Sequence, residues 1–303
     1  MLEFSKISDF SLHPAPSGIN INYVEKITAL GERIRSPVVD GMFYPEDSAG
    51  VLAFMRNIEL KRGKGGLARA IIAPHGAWEI SGNLAGAAFS SGCGRTGKKK
   101  PSRVVIMGPI HDKRVKGLYL SNSHSFVTPL GKIPVDLETV EKIESYSPCF
   151  EVNDIPHLRE HSIEVLLPFV KYCFPRASIV PILMGKSGEP HISALSGALR
   201  DILTPIMEDT LLVISLNLVV HQGEEEALDM AWEYLKLLSD GKSEELIKAL
   251  QNGRIVSCGG ALVTALLQSG LVNAMNSKLA FPSLQSAFGE KGRTIYYGAF
   301  SFD

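Results

Sequence analysis

The chain has 303 residues, 45% of them hydrophobic and 21% charged, which is the make-up of a globular protein with a sizeable core and excludes disorder over most of its length. Its 31 Lys and Arg against 32 Asp and Glu leave a formal charge of -1, so there is no global field to gather nucleic acid or an anionic membrane. Small molecules or proteins are the expected partners.

Residues 1–32 have a mixed pattern and read as an N-terminal extension; residues 33–303 read as one α/β domain, since no long Pro/Gly/Ser-rich linker divides them. The start lacks a basic stretch followed by an apolar run, and no segment approaches the ~20 apolar residues that span a bilayer, so a cytoplasmic protein is expected. From Leu67 onward, short apolar runs alternate with longer amphipathic ones, as α/β proteins do. The runs 68–73 (ARAIIA), 103–107 (RVVIM), 178–183 (SIVPIL) and 211–215 (LLVIS) are continuous and β-branched, as central strands covered on both faces should be. The basic cluster from Arg95 to Arg103 separates two of them and reads as a solvated loop. Helical spacing predicts covering helices over 161–173, 191–203, 224–238 and 258–269. Further strands are expected over 117–120, 132–135 and the terminal 294–302, which makes the sheet mixed. Cys93, Cys149, Cys173 and Cys258 are widely spaced with no CxxC pair, so free thiols are expected in place of disulfides or a zinc knot.

Ligands of open α/β sheets bind beyond the carboxyl ends of the strands. Three histidines stand there: His75 after ARAIIAP, His111 after RVVIMGPI and His221 after LLVISLNLVV. Each alone also fits a structural histidine; together they fit a rim on which two or three imidazoles and an anionic group take iron, copper or zinc. Cys258, in Ile255-Val256-Ser257-Cys258-Gly259-Gly260 at an expected helix start, is the best placed thiol, because a helix N-terminus favours the thiolate. Glu160-His161-Ser162-Ile163-Glu164 heads another expected helix. Helix electrostatics account for its acids and serine. They leave His161 unexplained, as a candidate proton shuttle or substrate contact.

In this order Ala-Pro-His75, Gly-Pro-Ile-His111, Glu160-His161-Ser162-Ile163-Glu164 and Ser257-Cys258-Gly259, with the opening Ser36-Pro37-Val38-Val39-Asp40-Gly41-Met42-Phe43-Tyr44-Pro45, resemble the Memo family, also called AmmeMemoRadiSam system protein B. The resemblance covers about residues 35–303. It implies a fold related to class III extradiol dioxygenases (LigB-like) and a metal held by His75, His111 and Cys258: iron or copper, with zinc a third candidate. No nucleotide cofactor is expected. The partners it implies are AMMECR1-like and radical-SAM proteins.

The chain departs from the family near the pocket. After His75 the family usually has Ala-Gly-Tyr-x-Tyr, whereas here Gly76-Ala77-Trp78-Glu79-Ile80 follows. A second histidine of many members is Asp112 here. The family's Ser-Ser-Asp-x-x-His falls on Ser215-Leu216-Asn217-Leu218-Val219-Val220, with His221 one residue late. Two main readings therefore stay open. One is a metal-dependent redox enzyme in which His161, Asp112 and His221 move protons. The other is a non-catalytic binding protein that keeps the pocket and docks partners. A third is a hydrolase with Cys258 as nucleophile and His221 or His161 as base.

Overall fold

A continuous Val/Ile/Leu run can be buried on both faces only inside a covered sheet, and that is where the chain puts its four longest ones. The computed structural model describes residues 31–58, 68–93, 100–272, 275, 277–279, 284–288 and 292–303. The extension up to residue 30 and positions 95–99 of the basic cluster lie outside them.

In chain order the strands are β1 (Ile34–Arg35), β2 (Ala70–Ala73), β3 (Arg103–Pro109), β4 (Leu118–Leu120), β5 (Ser125–Thr128), β6 (Gly131–Pro134), β7 (Phe150–Val152), β8 (Ser178–Met184), β9 (Thr210–Ser215), β10 (Val219–His221), β11 (Ser277–Leu279), β12 (Gln285–Phe288), β13 (Thr294–Tyr297) and β14 (Phe300–Phe302). The helices are α1 (Ser48–Asn57), α2 (Trp78–Cys93), α3 (Leu137–Glu144), α4 (Asp154–Arg159), α5 (Leu167–Cys173), α6 (Glu189–Ala198), α7 (Glu224–Ser239), α8 (Ser243–Gln251) and α9 (Gly260–Ser269). None of the described helices is long and apolar enough to cross a membrane.

An eight-stranded sheet in the order β11-β14-β2-β9-β3-β8-β4-β7 carries the core. Its centre, β2, β9, β3 and β8, is parallel, and β14 and β4 flank it antiparallel. The architecture is thus the expected one, an α/β fold with a central mixed sheet covered by helices. Two three-stranded sheets, β1-β5-β6 and β10-β13-β12, lie apart from it. Side-chain oxygens start three of the helices: Asp47 accepts from Gly50 N at the head of α1, Asp136 from Thr139 N at α3, and Asn153 from Ile155 N at α4.

Several sequence expectations are corrected. Residues 160–163 are not the first turn of a helix; a 3-10 turn begins at Glu164 and α5 only at Leu167, because Pro168 suits a helix start and the amides before it are bound by a carboxylate. The 132–135 strand is β6, at Gly131–Pro134, and belongs to the small sheet with β1 and β5. The terminal 294–302 run divides into β13 and β14 in different sheets, with Gly298 between them, where an added Cβ would meet the Leu218 side chain at 2.4 Å. Helix α2 has no clear apolar stripe, since WEISGNLAGAAFSSGC is small and buried almost all round, and periodicity does not reveal it.

Candidate functional site

Because β2, β9 and β3 run parallel, they end at one rim, and the loops leaving them meet there. Pro74 and His75 follow β2, Leu216 and Asn217 follow β9, and Ile110 and His111 follow β3. Ser215, the last residue of β9, is paired in register with Ala73.

His75 is 1% exposed, and the Ser215 hydroxyl sets its proton. Ser162 Oγ donates to Pro109 O at 2.7 Å, Ser215 Oγ donates to Ser162 O at 2.5 Å, and His75 Nδ1 stands 2.8 Å from Ser215 Oγ. With its own proton committed to Ser162 O, the Ser215 hydroxyl accepts, so Nδ1 carries the imidazole proton and Nε2 keeps its lone pair. Burial, with His111 and His161 adding to it, pushes His75 well below the ordinary histidine range, so the ring is neutral. Its Nε2 lies 3.7 Å from Cys258 Sγ. The backbone at His75 is anchored as well, since its N–H donates to Asn217 Oδ1 at 3.1 Å.

Glu160, 5% exposed, organises the second half of the site. One oxygen accepts from His111 N at 2.7 Å. The other accepts from His111 Nδ1 at 3.0 Å, His161 N at 2.8 Å and Ser162 N at 2.7 Å. Burial alone would raise this carboxyl, but the charge and hydrogen bond of His111 hold it well below the usual range. In return, burial opposes a charge on His111 and the Glu160 carboxylate outweighs it, raising the imidazole. His161, its Nδ1 3.3 Å from the same carboxylate, is lowered to about 4 because burial prevails. The rings of His111 and His161 stack at 4.7 Å, and that of His75 stands edge-on at 5.1 Å from the first and 6.1 Å from the second. Phe43 closes over His161 at 4.7 Å between centroids.

Cys258 sits in the loop before α9, two residues ahead of Gly260, and Asn217 N donates to its sulfur at 3.2 Å. The expected lowering of its thiol is corrected: burial pushes it up to about 12, outweighing the nearby amides. His75, His111, His161 and Cys258 are thus brought together. Asp112 is not part of the cluster: it faces outward, gripped by Arg114 through Nε at 2.9 Å and Nη2 at 2.7 Å. His221 is corrected as a strand exit, because the chain leaves the central sheet at Ser215 and Val219–His221 forms β10 against β13. Its Nδ1 accepts from Gly223 N at 3.2 Å. Trp78 lies in the core, 4% exposed, among Tyr44, Phe54 and Phe169, with its indole N–H donating to Val165 O at 2.9 Å.

The donors suit a first-row transition ion. Two imidazoles expose Nε2 because Nδ1 is engaged behind them, a thiol stands beside one of them, and metal binding would convert that thiol to thiolate. Ligand atoms of His111, Glu160 and His161 also lie within 4.8 Å of one another. The Glu160 oxygens already receive four donors, however, so this carboxylate orients the rings and is spent for coordination. The sequence reading did not single out Ser215 or Ser162 for this role. Ser215 was within reach, as the first residue under the family's Ser-Ser-Asp-x-x-His.

A helix-covered mixed sheet with a His/Cys cluster at its carboxyl rim, running from the buried His75 to the exposed edge of His111, defines an α/β protein with a candidate metal site. Residues 35–286 match the family model described as "Memo-like protein", and the chain belongs to the Memo family. A MEMO1 family protein of Thermotoga neapolitana is 31% identical over 249 residues, covering 78% of this chain and 88% of the relative. Another from Methanobrevibacter smithii is 25% identical over 280 residues, covering 88% and 98%. Among solved structures, the uncharacterized protein JW3007 from Escherichia coli K12 aligns with a TM-score of 0.48 at 11% identity, over 77% of this chain and 99% of that one.

Proposed function

We propose that this chain is a metal-binding Memo protein of the cytoplasm, in which His75, His111 and Cys258 hold an iron or copper ion and His161 gives or takes a proton beside it. When bound, the ion would supply Lewis acidity and electron transfer to a dioxygenase-like redox reaction on a small organic molecule. The observation that carries the reading is the Ser215–Ser162 relay, which leaves the His75 lone pair facing the Cys258 sulfur at 3.7 Å. Glu160 does the same for His111, and burial keeps His161 neutral at neutral pH. Asp112 and His221 are assigned no step, since each is engaged elsewhere. The test is elemental analysis of anaerobically purified protein. About one iron or copper per chain, lost in both His75→Ala and Cys258→Ala, is the expected result; a parent that stays empty and refuses iron, copper and zinc on titration would refute the reading.

A second reading is favoured by Asn217 and Val220, which stand where the family has Asp and His. Asn217 Oδ1 serves as an acceptor for the His75 backbone and is no base. On this reading the chain is a binding protein acting with AMMECR1-like and radical-SAM proteins. Capture of such purified partners by a His75→Ala/His111→Ala variant as well as by the parent would favour it.

A further inference from the structure

Cys93 is the last residue of α2 and Cys173 the last of α5. The two helices pack against each other, with the Phe89 and Phe169 rings stacked at 5.4 Å between them. Their ends meet as well: Cys93 Sγ lies 3.9 Å from Cys173 O, and the two thiols are hydrogen-bonded to each other. No disulfide joins them, although thiols in contact need only side-chain rotation to come within bonding reach. Cys93 is partly exposed, whereas Cys173 is 1% exposed. Both stand at the carbonyl end of a helix, where the dipole disfavours a thiolate. Lys100 offsets this, because its Nζ donates to Cys173 O at 3.2 Å and its charge favours a thiolate beside it. The hydrogen bond from Cys93, and then burial, nevertheless push the Cys173 thiol well above its ordinary value, which makes it a poor first nucleophile. The partly exposed Cys93 is therefore the member that meets an oxidant, and the buried Cys173 is the one that resolves.

We infer that Cys93 and Cys173 form a peroxide-sensitive thiol pair that closes to a disulfide, a modification site separate from the His75–His111–Cys258 cluster. The Cys93 thiolate attacks one oxygen of hydrogen peroxide and the O–O bond breaks. Cys93 becomes a sulfenic acid, and the other oxygen leaves as hydroxide and takes up the thiol's proton as water. The Cys173 sulfur then displaces the sulfenic hydroxyl: the S–S bond forms, the S–O bond breaks, and the Cys173 proton departs with the hydroxyl as a second water. Two thiols thus lose two electrons, and one peroxide is reduced to two waters. Helix α2 begins just past His75, and α5 just past the Glu160–Glu164 turn. The bridge therefore ties the far ends of the two helices whose near ends adjoin the site. Because these helices are already packed together, it locks their arrangement and does not shift it.

The test adds hydrogen peroxide to the purified parent, Cys93→Ser and Cys173→Ala proteins, alkylates the thiols that remain, and weighs the peptides of a non-reducing digest. The parent should give a linked Cys93–Cys173 peptide pair that dithiothreitol separates. Its melting temperature should rise by several degrees on oxidation, since the bridge joins residues 80 positions apart and so restricts the unfolded chain. Cys173→Ala should stop at a sulfenic acid on Cys93, trapped by dimedone, and Cys93→Ser should keep Cys173 as a thiol. The parent alone supplies the deciding peptide, whether or not a variant folds. Oxidation confined to Cys149 or Cys258, a linked pair other than this one, or a bridge that lowers the melting temperature would overturn the assignment.

Discussion

Ser215 determines which nitrogen of His75 is free, and it does so with one hydroxyl that donates to Ser162 O and accepts from His75 Nδ1. Removing it leaves His75 Nδ1 and Ser162 O without their partner and allows the imidazole to change tautomer or rotate. Ser215→Ala should therefore weaken metal binding by about 10- to 100-fold, measured by competition with a chromophoric chelator, while costing about 1–3 kcal/mol of stability. Ser215→Thr, which keeps the hydroxyl, should restore most of the affinity. Were the alanine variant to bind metal as the parent does, the relay would be structural decoration. At this scale the sequence is informative about residue types: His75 and His111 stand out as imidazoles after strands, His161 as an unexplained histidine at an expected helix head, and Cys258 as a thiol at an expected helix start. It is mute about Ser215 and Ser162, because serine is common everywhere and only contacts more than 50 positions apart give these their meaning.

Among the elements, the turn between α4 and α5 carries most of the site, and a buried ion pair holds it against the segment after β1. Arg35 and Glu164, each 1% exposed, meet at 2.5 Å. Arg35 also donates to His157 O and Glu160 O, and Glu164 accepts from Val38 N, Val39 N and Tyr44 Oη. The pair therefore positions Phe43 over His161 as well as the turn itself. Truncating one member strands a buried charge, so Arg35→Ala should lose about 3–5 kcal/mol in chemical denaturation and loosen the packing of Phe43. A loss below about 1 kcal/mol would show that water reaches Glu164. The sequence placed a helix start at Glu160 because acids and serine are suited to a first turn. The structure uses the same residues differently: Glu160 folds back onto its own following amides, a choice that the histidines around it decide. His221 was misplaced for a related reason, since an unbroken apolar string hides the bend at 216–218 that moves the chain from one sheet to another.

For the whole molecule, buried histidines make stability depend on pH. His157, 2% exposed, is lowered to about 3, by burial first and then by the charge of Arg35, from an ordinary value of 6.5. A histidine depressed in the folded state holds fewer protons folded than unfolded. Its contribution is complete above pH 6.5 and is lost as pH falls from there toward the folded value. Between pH 7 and pH 5 His157 alone should remove about 2 kcal/mol, with His75 and His161 acting in the same direction and His111, raised by Glu160, opposing them. The urea midpoint of the metal-free protein should drop over this interval, and His157→Phe should flatten the dependence. Midpoints that coincide at the two pH values would contradict it.

The sequence by itself determined the class of fold, the four central strands and the identities of the imidazoles and the thiol. Each of these follows from local chemistry: continuous apolar runs demand burial on both faces, and metal-type donors stand at the ends of such runs. Only the tertiary structure decided which donors share a pocket, which nitrogen each presents, and how Glu160 and Asp112 are occupied. These outcomes depend on loops that leave different strands and meet across the rim, so no stretch of the chain carries them alone.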